Sequence, residues 1–374
     1  MMLDADVQYV EDGNFLVVED RAQAEEIPPE YVEYIEPNYY IELLDTVADD
    51  AAPDDSYYTS QWNLSKIGAM TAYNRGLRGA GVKVAFVDSG INKTHEDLNS
   101  ANITGKNFNS DGLQYDEDVY GHGTFAAGIL AAQTNNGKGL AGVAPDAEIM
   151  AYRVFNQKTT TLSAVVQAIN AAVDDGCDVM NLSLGISGSS PTALAEAIDR
   201  AAAAGVIMVA AAGNGGAATM QYPAGYTDVI GVGSVDRDLT VSSFSQRNSS
   251  VYVTAPGGGV VSLGNTADDA YMLNMTLSSN KGTSFAAPVV TGMAAIARGY
   301  DDDITEQGIR YLLESTSLDG GTAGYDNQYG YGVVNVDAFV KELQRAYTID
   351  YRLNDGTLPE QAAQTYQVTD GTCM

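Results

Sequence analysis

The sequence has few cysteines and few basic residues for its length. Its 374 residues include two cysteines, Cys177 in an apolar stretch and Cys373 near the end, which are too few for a disulfide framework. We expect Cys177 to be a small core residue. The 19 lysines and arginines are outnumbered by 49 acidic residues and form no cluster. This argues against nucleic acid as a partner, because phosphate binding needs grouped positive charge.

Long hydrophobic runs and a leader peptide are also missing. The longest apolar stretch, residues 201–213, is broken by Gly205 and is shorter than the roughly 20 residues of a membrane span. We therefore expect no transmembrane segment. The first residues include Asp4 and no basic, apolar leader, so the sequence shows no signal peptide.

Negative charge is concentrated at the front of the chain. Residues 1–55 hold 17 acidic side chains and one basic one, Arg21, and so supply −16 of the net charge of −30. We interpret this acidity as a solubility feature, with attraction of basic partners as the alternative. Residues 1–46 contain short β-like runs that predict a small separate unit. The Ala, Asp and Pro stretch at 47–54 predicts an exposed linker.

From Val82 onward, short apolar runs alternate with segments of helical spacing, which indicates a parallel sheet flanked by helices and an α/β fold. The predicted strands are 82–87, 148–154, 179–184, 206–212 and 229–235, and the predicted helices are 122–133, 162–175, 191–204, 284–299 and 305–314. Gly176 and Gly205 follow helices where a left-handed cap is expected, and Pro191 suits a first helical turn.

Three short stretches place a reactive side chain beside glycine near an apolar run. They are 87–90 (Val-Asp-Ser-Gly), 121–124 (Gly-His-Gly-Thr) and 282–288 (Gly-Thr-Ser-Phe-Ala-Ala-Pro). Asp88 follows the first predicted strand, at the edge of a parallel sheet where ligands gather. The alternative for such an aspartate is a helix cap or a turn residue.

His122 is one of only two histidines, and its flanking glycines would let the backbone pass close to a substrate. The other, His95, has a polar setting without glycines. A serine nucleophile needs a base, and that base needs an acid to fix its tautomer. Asp88, His122 and Ser284 meet these needs once each, whereas a lone histidine would more simply be structural.

Ser284 starts an alanine-rich predicted helix, so backbone N–H groups and the positive helix end would point to where an oxyanion develops. A serine there could equally be a helix N-cap. Asn214, which follows the predicted strand 206–212, favours the catalytic interpretation. Its side-chain amide could donate a second hydrogen bond to the oxyanion.

These motifs, their order Asp, His, Ser, and the Ala-Ala-Gly-Asn stretch ending at Asn214 resemble the subtilisin family of serine proteases over about residues 55–343. The resemblance implies a serine endopeptidase with a subtilisin-like fold. It implies that His122 takes the proton of Ser284 and later protonates the leaving amine. It also implies that Asp88 steadies the imidazole and that Asn214 forms the oxyanion hole with the backbone N–H of Ser284.

The stretch 181–185 (Asn-Leu-Ser-Leu-Gly) resembles the family's edge strand, which pairs with the peptide substrate. The small residues that end the strand 206–212 would form the wall of the S1 pocket and leave room for large apolar or aromatic side chains. The substrate-binding residues implied by the resemblance are Ser183, Leu184, Gly185, Ala211, Ala212 and Gly213.

The resemblance also implies a structural calcium ion as cofactor. The implied ligands are Asp55, Asp97, Asn135 and Asn136. Oxygen ligands suit a hard cation. The loop 135–140 is one residue longer than the common form and contains Lys138, and the alternative interpretation is a plain polar loop.

The flanking segments have resemblances of their own. Residues 1–46 resemble the last part of the family's inhibitory propeptide, shortened at its front. Such a propeptide assists folding, occupies the active site and is cut off by the enzyme, here within 47–54. Residues 344–374 resemble the opening of a small β-rich repeat of bacterial surface proteins, with a turn at 354–356, and would be a truncated repeat.

The sequence therefore predicts an active endopeptidase, secreted or on the bacterial cell surface, that acts as a monomer on protein or peptide substrates. One alternative is an inactive surface binding module, against which the intact motifs argue. An intracellular protease of the same family is a second alternative. A nucleotide-binding α/β enzyme is a third, but no Gly-x-Gly-x-x-Gly turn follows the first strand and no Gly-Lys-Ser/Thr loop is present.

Overall fold

A computed structural model describes residues 8–10, 15–17, 32–37, 52–351 and 366–367. Its centre is a parallel sheet of seven strands. In chain order these are β1 (Lys83–Asp88), β2 (Ile103–Asn107), β3 (Glu148–Arg153), β4 (Val179–Leu182), β5 (Ile207–Ala211), β6 (Val229–Val235) and β7 (Val253–Pro256). Their order across the sheet is β7-β6-β5-β4-β1-β3-β2, and every neighbouring pair is parallel.

Helices cover both faces of this sheet. They are α1 (Trp62–Lys66), α2 (Met70–Asn74), α3 (His122–Ala131), α4 (Leu162–Asp174), α5 (Thr192–Ala203), α6 (Thr283–Tyr300), α7 (Glu306–Thr316) and α8 (Val336–Leu343). Short 3₁₀ turns lie at Tyr58–Ser60, Ser100–Asn102 and Ser278–Asn280. In the part of the chain that the structure describes, we find no helix with the length and apolar character needed to span a membrane.

The strand β1 shows how the sequence produces two cores. Val84 and Phe86 belong to the core that contains residues of α3 and α6, whereas Ala85 and Val87 belong to the core with α4 and α5. Successive side chains of a strand point to opposite faces, so a strand covered on both faces is a nearly continuous apolar run. Cys177 is buried in the second core, as predicted.

The predicted α/β class is confirmed, and all five predicted strands and all five predicted helices are present with ends shifted by a few residues. Gly176 and Gly205 follow α4 and α5 with φ of +68° and +77°, the left-handed caps that were expected. Pro191 precedes the first residue of α5 as its N-cap residue. The edge strands β2 and β7 and the helices α1, α2 and α8 were not predicted.

Short antiparallel pairs complete the architecture. Ile186–Ser187 pairs with Gln221–Tyr222, Ser262–Leu263 with Tyr271–Met272, and Gln8–Val10 with Phe15–Val17. Val32–Pro37 pairs with Ala346–Tyr351, which also pairs with Tyr366–Gln367. A front strand and a tail strand thus share one sheet, a pairing that the sequence did not predict.

The proposed division into 1–46, 47–54, 55–343 and 344–374 stays a prediction. The acidic part of the front segment at 21–26, residues 47–51 of the linker, the turn at 354–356 and Cys373 lie outside the described residues.

Candidate active site

The carboxyl ends of the central strands bring the predicted catalytic residues to one edge of the sheet. Asp88 is the last residue of β1, and His122 is the first residue of α3. Asn214 follows β5, and Ser284 is the second residue of α6. This is the position at which open α/β sheets bind their ligands.

Asp88 and His122 are in direct contact. Nδ1 of His122 lies 2.8 Å from Oδ1 and 3.0 Å from Oδ2 of Asp88, and the Asp88 side chain is 3% exposed. Burial alone would lower the pKa of His122, but the charge and hydrogen bond of Asp88, together with the charge of Asp118, outweigh it, so the pKa is raised. The imidazole is thus held with Nε2 available for other partners.

Gly123 lies where α3 begins close to the loop that follows β1. A Cβ atom at Gly123 would lie 2.1 Å from the carbonyl oxygen of Gly90 and 3.2 Å from Oδ1 of Asp88. The glycine after His122 therefore brings the start of α3 close to the loop that follows β1.

Ser284 lies near the start of α6 and contacts the chain that follows β4. Its hydroxyl donates to the carbonyl oxygen of Ser183 at 3.2 Å. Pro288 is four residues further along the helix and has no N–H for the Ser284 carbonyl. The Ser183 hydroxyl donates to that carbonyl instead, at 2.7 Å. The two serines therefore form reciprocal hydrogen bonds.

The hydrogen bonds of Asn214 fix the direction of its amide. Oδ1 accepts from the backbone N–H of Thr283 at 2.8 Å and from the Thr283 hydroxyl at 3.0 Å. Nδ2 is left to donate elsewhere, and Asn214 lines a cavity together with Ser284. This orientation suits a donor to an oxyanion formed at Ser284.

Two cavities meet at Ser284 and Asn214. The larger, of about 530 Å³, is lined by His122 and Phe285 and also by Lys158 and Lys281, two lysines that the sequence did not indicate. The lysines come from distant parts of the chain, and no local signal marks them. The described lining of this cavity contains no acidic residue.

The smaller cavity, of about 160 Å³, is the candidate S1 pocket. Leu184, Gly185, Ala211 and Gly213 line it, as does Gln221, which the sequence did not indicate. A Cβ atom at Gly213 would lie 2.5 Å from Cγ of Gln221, so a glycine is needed for this side chain to fit.

Two predicted substrate-binding residues face away from this pocket. Ala212 is fully buried and is not part of the lining, because its side chain points into the protein next to β5. Ser183 is 7% exposed, and its hydroxyl is directed to the Ser284 carbonyl. Ser183 thus supports Ser284, the candidate nucleophile, and its backbone follows β4 where a substrate strand was expected.

The four predicted calcium ligands lie around one loop. The carboxylate of Asp55 accepts from the backbone N–H groups of Asn135 and Asn136 at 3.0 and 3.2 Å. Asp97 is fully buried and accepts from Nδ2 of Asn136 at 3.0 Å and from the N–H of Leu140 at 2.7 Å. The side-chain oxygen of Asn135 accepts from the N–H of Asp54 at 3.3 Å.

The electrostatics of this loop fit a divalent cation. Burial, together with the smaller effect of the Asp55 charge, raises the pKa of Asp97 to about 7, although the hydrogen bonds from Leu140 and Asn136 act to lower it. Burial likewise raises the pKa of Asp55. Two desolvated carboxylates that repel each other, beside carboxamide oxygens, are the hard oxygen donors that calcium prefers.

Comparison with known proteins decides the family. Residues 79–332 match the model of the subtilase family. The chain belongs to this family. It is a subtilisin-like serine endopeptidase.

Similar proteins include an alkaline protease of Alkalihalobacillus alcalophilus, 37% identical over 314 residues that cover 84% of this chain and 77% of that protein. Subtilisin Savinase of Lederbergia lenta is 39% identical over 278 residues, 74% of this chain and 97% of that protein. Among solved structures, a protease of Pseudoalteromonas arctica PAMC 21717 matches with a TM-score of 0.69 and 29% identity, over 79% of this chain and all of that one. These matches confirm the predicted family and the subtilisin-like fold.

Proposed function

We propose that this subtilase cleaves peptide bonds through an acyl-enzyme formed on Ser284, with His122 as general base and Asp88 as the acid that orients it. The observation that carries the proposal is the contact of 2.8 Å between Nδ1 of His122 and Asp88, in a cavity that Ser284 also lines. His122 takes the hydroxyl proton as Ser284 attacks the carbonyl carbon, and then gives it to the leaving amine. Water releases the acyl group in the reverse sequence.

The Ser284 hydroxyl turns from Ser183 toward His122 before it attacks. Its present acceptor, the Ser183 carbonyl, is an exchangeable partner at 3.2 Å. The oxyanion then receives hydrogen bonds from Nδ2 of Asn214 and from the backbone N–H of Ser284, at the positive end of α6. In enzymes of this family, loss of the asparagine donor lowers kcat about 10²- to 10³-fold.

The substrate pairs with the backbone of 183–185 and inserts its P1 side chain into the smaller cavity. The aliphatic and glycine lining from Leu184, Ala211 and Gly213 favours apolar P1 groups. Main-chain pairing is tolerant of sequence, so specificity is broad.

Self-processing removes the front segment. The chain is attached to the catalytic domain from Asp54 onward, because the Asp54 carboxylate accepts from the N–H of Gly137 at 2.9 Å and the N–H of Tyr57 donates to Gly139 at 2.7 Å. A cut within 47–54 would leave these attachments largely intact. Residues 1–46 then act as the propeptide, and the mature enzyme works as a monomer outside the cell.

A structural calcium ion is held by Asp55, Asp97, Asn135 and Asn136, with no part in the chemistry. Bound calcium supplies the positive charge that lets both buried carboxylates stay ionised. With calcium bound, the loop 135–140 would hold Asp55, near the start of the mature chain, in place.

The proposal is tested by treating the purified protein with a fluorophosphonate probe and measuring its mass, beside Ser284→Ala. The wild type should gain one probe and lose about its first 50 residues, as expected for a nucleophile that also cuts its own linker. Ser284→Ala should do neither. A wild type that remains full-length and unlabelled would contradict the proposal.

A further inference from the structure

Asp118 is a buried carboxylate four residues before His122 that the catalytic scheme does not use. Asp118 is only 6% exposed. Oδ1 accepts from the hydroxyl of Ser89 at 2.8 Å and from the N–H groups of Gly121 and Tyr120 at 2.8 and 3.2 Å. Oδ2 accepts from the N–H and the hydroxyl of Thr124 at 2.9 and 2.6 Å. Burial raises the pKa of Asp118, whereas the hydrogen bonds from Thr124, Gly121 and Ser89 act to lower it. Both oxygens are satisfied by donors, as an ionised carboxylate requires.

These donors come from the two segments that carry the catalytic pair. Ser89 directly follows Asp88, and its hydroxyl also accepts from the N–H of Gly123 at 2.9 Å. Thr124 belongs to the first turn of α3, and its hydroxyl accepts from the N–H of Asn92, in the loop after β1. The Asp118 carboxylate therefore lies at the centre of a network that joins the loop after β1 to the start of α3.

We propose that Asp118 is a positioning residue for catalysis: its carboxylate holds the start of α3 against the loop after β1, which keeps His122 aligned with Asp88, and its charge supports the imidazolium. This inference rests on the proposed role of His122. Catalysis is sensitive to such alignment, because a misplacement of about 1 Å can lower a rate about 100-fold.

The charge of Asp118 acts on His122 in the same direction as that of Asp88. The charges that act on the imidazole are those of Asp88 at the end of β1 and Asp118 before α3, and Lys158 and Lys281 line the same cavity as His122. The two carboxylates favour the imidazolium, and the lysines oppose it. Removal of the Asp118 charge should lower the pKa of His122, an effect that a purely structural residue would not produce.

The test replaces Asp118 by asparagine in the full chain. One side of the amide is an NH₂ group that cannot accept, so the donors on that side lose their partner, and the charge is lost as well. We expect kcat to fall on the order of 10- to 100-fold with KM changed by less than about 3-fold. The acid limb of the kcat/KM profile should move to lower pH.

Asp116→Asn is the matched control. Asp116 is in the same loop, but its carboxylate pairs with Lys93 at 2.9 Å and has no hydrogen bond to α3. The Asp116→Asn variant should have a kcat and an acid limb of the kcat/KM profile close to those of the wild type. Ser89→Ala removes the link between Asp118 and Gly123 but keeps the charge, so it should lower kcat without moving the acid limb.

Titration of the His122 ring by NMR tests the inference without catalysis, in Ser284→Ala protein. The chain has two histidines, and the second, His95, is buried with Nε2 2.7 Å from the carbonyl oxygen of Ala270, so the two resonances can be assigned by substitution. The His122 pKa should be lower with Asp118→Asn and unchanged with Asp116→Asn. A wild type without activity would refute the proposed function, whereas this titration would still decide on Asp118.

Folded Asp118→Asn protein with wild-type kcat and an unmoved His122 pKa would overturn the inference, even if it melts at a lower temperature. Should Asp118→Asn not fold, Ser89→Ala and Thr124→Val carry the test. A lowered kcat at constant KM in these variants supports the inference, and wild-type kcat in both overturns it.

Discussion

The hydroxyl of Ser183 donates a hydrogen bond to the carbonyl oxygen of Ser284, with 2.7 Å between the two oxygens. Pro288 makes this bond necessary, because it removes the N–H that would otherwise reach that carbonyl within α6. Ser183 in turn accepts from Nδ2 of Asn181 at 2.9 Å, and Oδ1 of Asn181 accepts from the hydroxyl of Thr291 at 3.0 Å. The helix that carries the candidate nucleophile is thus joined to β4 by buried polar side chains.

Ser183→Ala should lower both stability and rate. The Ser284 carbonyl and the Asn181 amide then lack their hydrogen-bond partner inside the protein. This lowers the free energy of unfolding by about 1–3 kcal/mol. The rate should fall several-fold because Ser284 is held less firmly. Urea unfolding and kcat measure the two effects. Ser163→Ala, at an exposed position in the first turn of α4, is the control and should stay within about 0.5 kcal/mol. An unaltered Ser183→Ala enzyme would show that Pro288 needs no such compensation.

The raised pKa of His122 predicts a specific pH dependence of stability. Since the folded pKa lies above the ordinary value of about 6.5, the folded state binds the proton more tightly than the unfolded state. The resulting stability is fully present below pH of about 6.5 and is lost as pH rises through the folded pKa. Melting of Ser284→Ala protein across this range measures it, without self-digestion.

Asp88→Asn in the same background should reduce this slope, because the charge of Asp88, the larger of the two charges that raise the pKa of His122, is gone, whereas that of Asp118 remains. In otherwise wild-type protein, Asp88→Asn should lower kcat by about 10⁴-fold, since an amide can donate to Nδ1 and so favour the wrong tautomer of the imidazole. If the pH dependence of stability is unchanged in Asp88→Asn protein, a group other than Asp88 is responsible for the raised pKa of His122.

The sequence was sufficient to predict the strands and helices that have a strong local pattern. β4 and β5 are apolar runs buried on both faces, and α4 and α5 end at glycines that only a left-handed cap explains. The edge strand β2 escaped prediction because Ile103 is its only fully buried residue, between polar neighbours. An edge strand buries little, so its sequence is hardly constrained to be apolar.

The candidate site likewise contains residues that the sequence predicted and residues that it did not. Asp88, His122, Ser284 and Asn214 lie in short local motifs, whereas Gln221, Lys158 and Lys281 reach the cavities through packing of distant segments. The family resemblance implies Ala212 as a pocket residue beside Ala211 and Gly213, but successive side chains alternate along an extended chain, and Ala212 is fully buried. Contacts that depend on which segments meet in space leave no signal in a single sequence.

Chelation tests the calcium proposal. An ion bound only by the folded state stabilises it by about 2.7 kcal/mol at a concentration 100-fold above its Kd. Removal of calcium from Ser284→Ala protein should therefore lower Tm, and the added ion should restore it. With Asp97→Asn, the difference between calcium and chelator should shrink, whereas exposed Asp268→Asn should behave as the parent does. A Tm that chelator does not change would refute the site.

The two lysines in the larger cavity predict a preference for acidic side chains in the substrate. Lys158 and Lys281 are exposed, form no ion pair within the described part of the chain, and share a cavity lined by no described acidic residue, in a protein of net charge −30. A substrate carboxylate placed there gains about 0.2–1 kcal/mol from each exposed lysine. A peptide series that differs only by Gln or Glu at successive positions should show one position where Glu raises kcat/KM by about 2- to 10-fold.

Lys158→Gln and Lys281→Gln should each reduce this preference, and the double variant should abolish it, while hydrolysis of the Gln peptides continues. Lys66→Gln, at the exposed end of α1, removes the same charge at a residue that does not line the cavity and should leave the preference intact. Because exposed charges are screened, the preference should also decline between about 0.01 and 1 M salt. A preference for Glu that survives the double variant at low salt would assign it to groups other than these lysines.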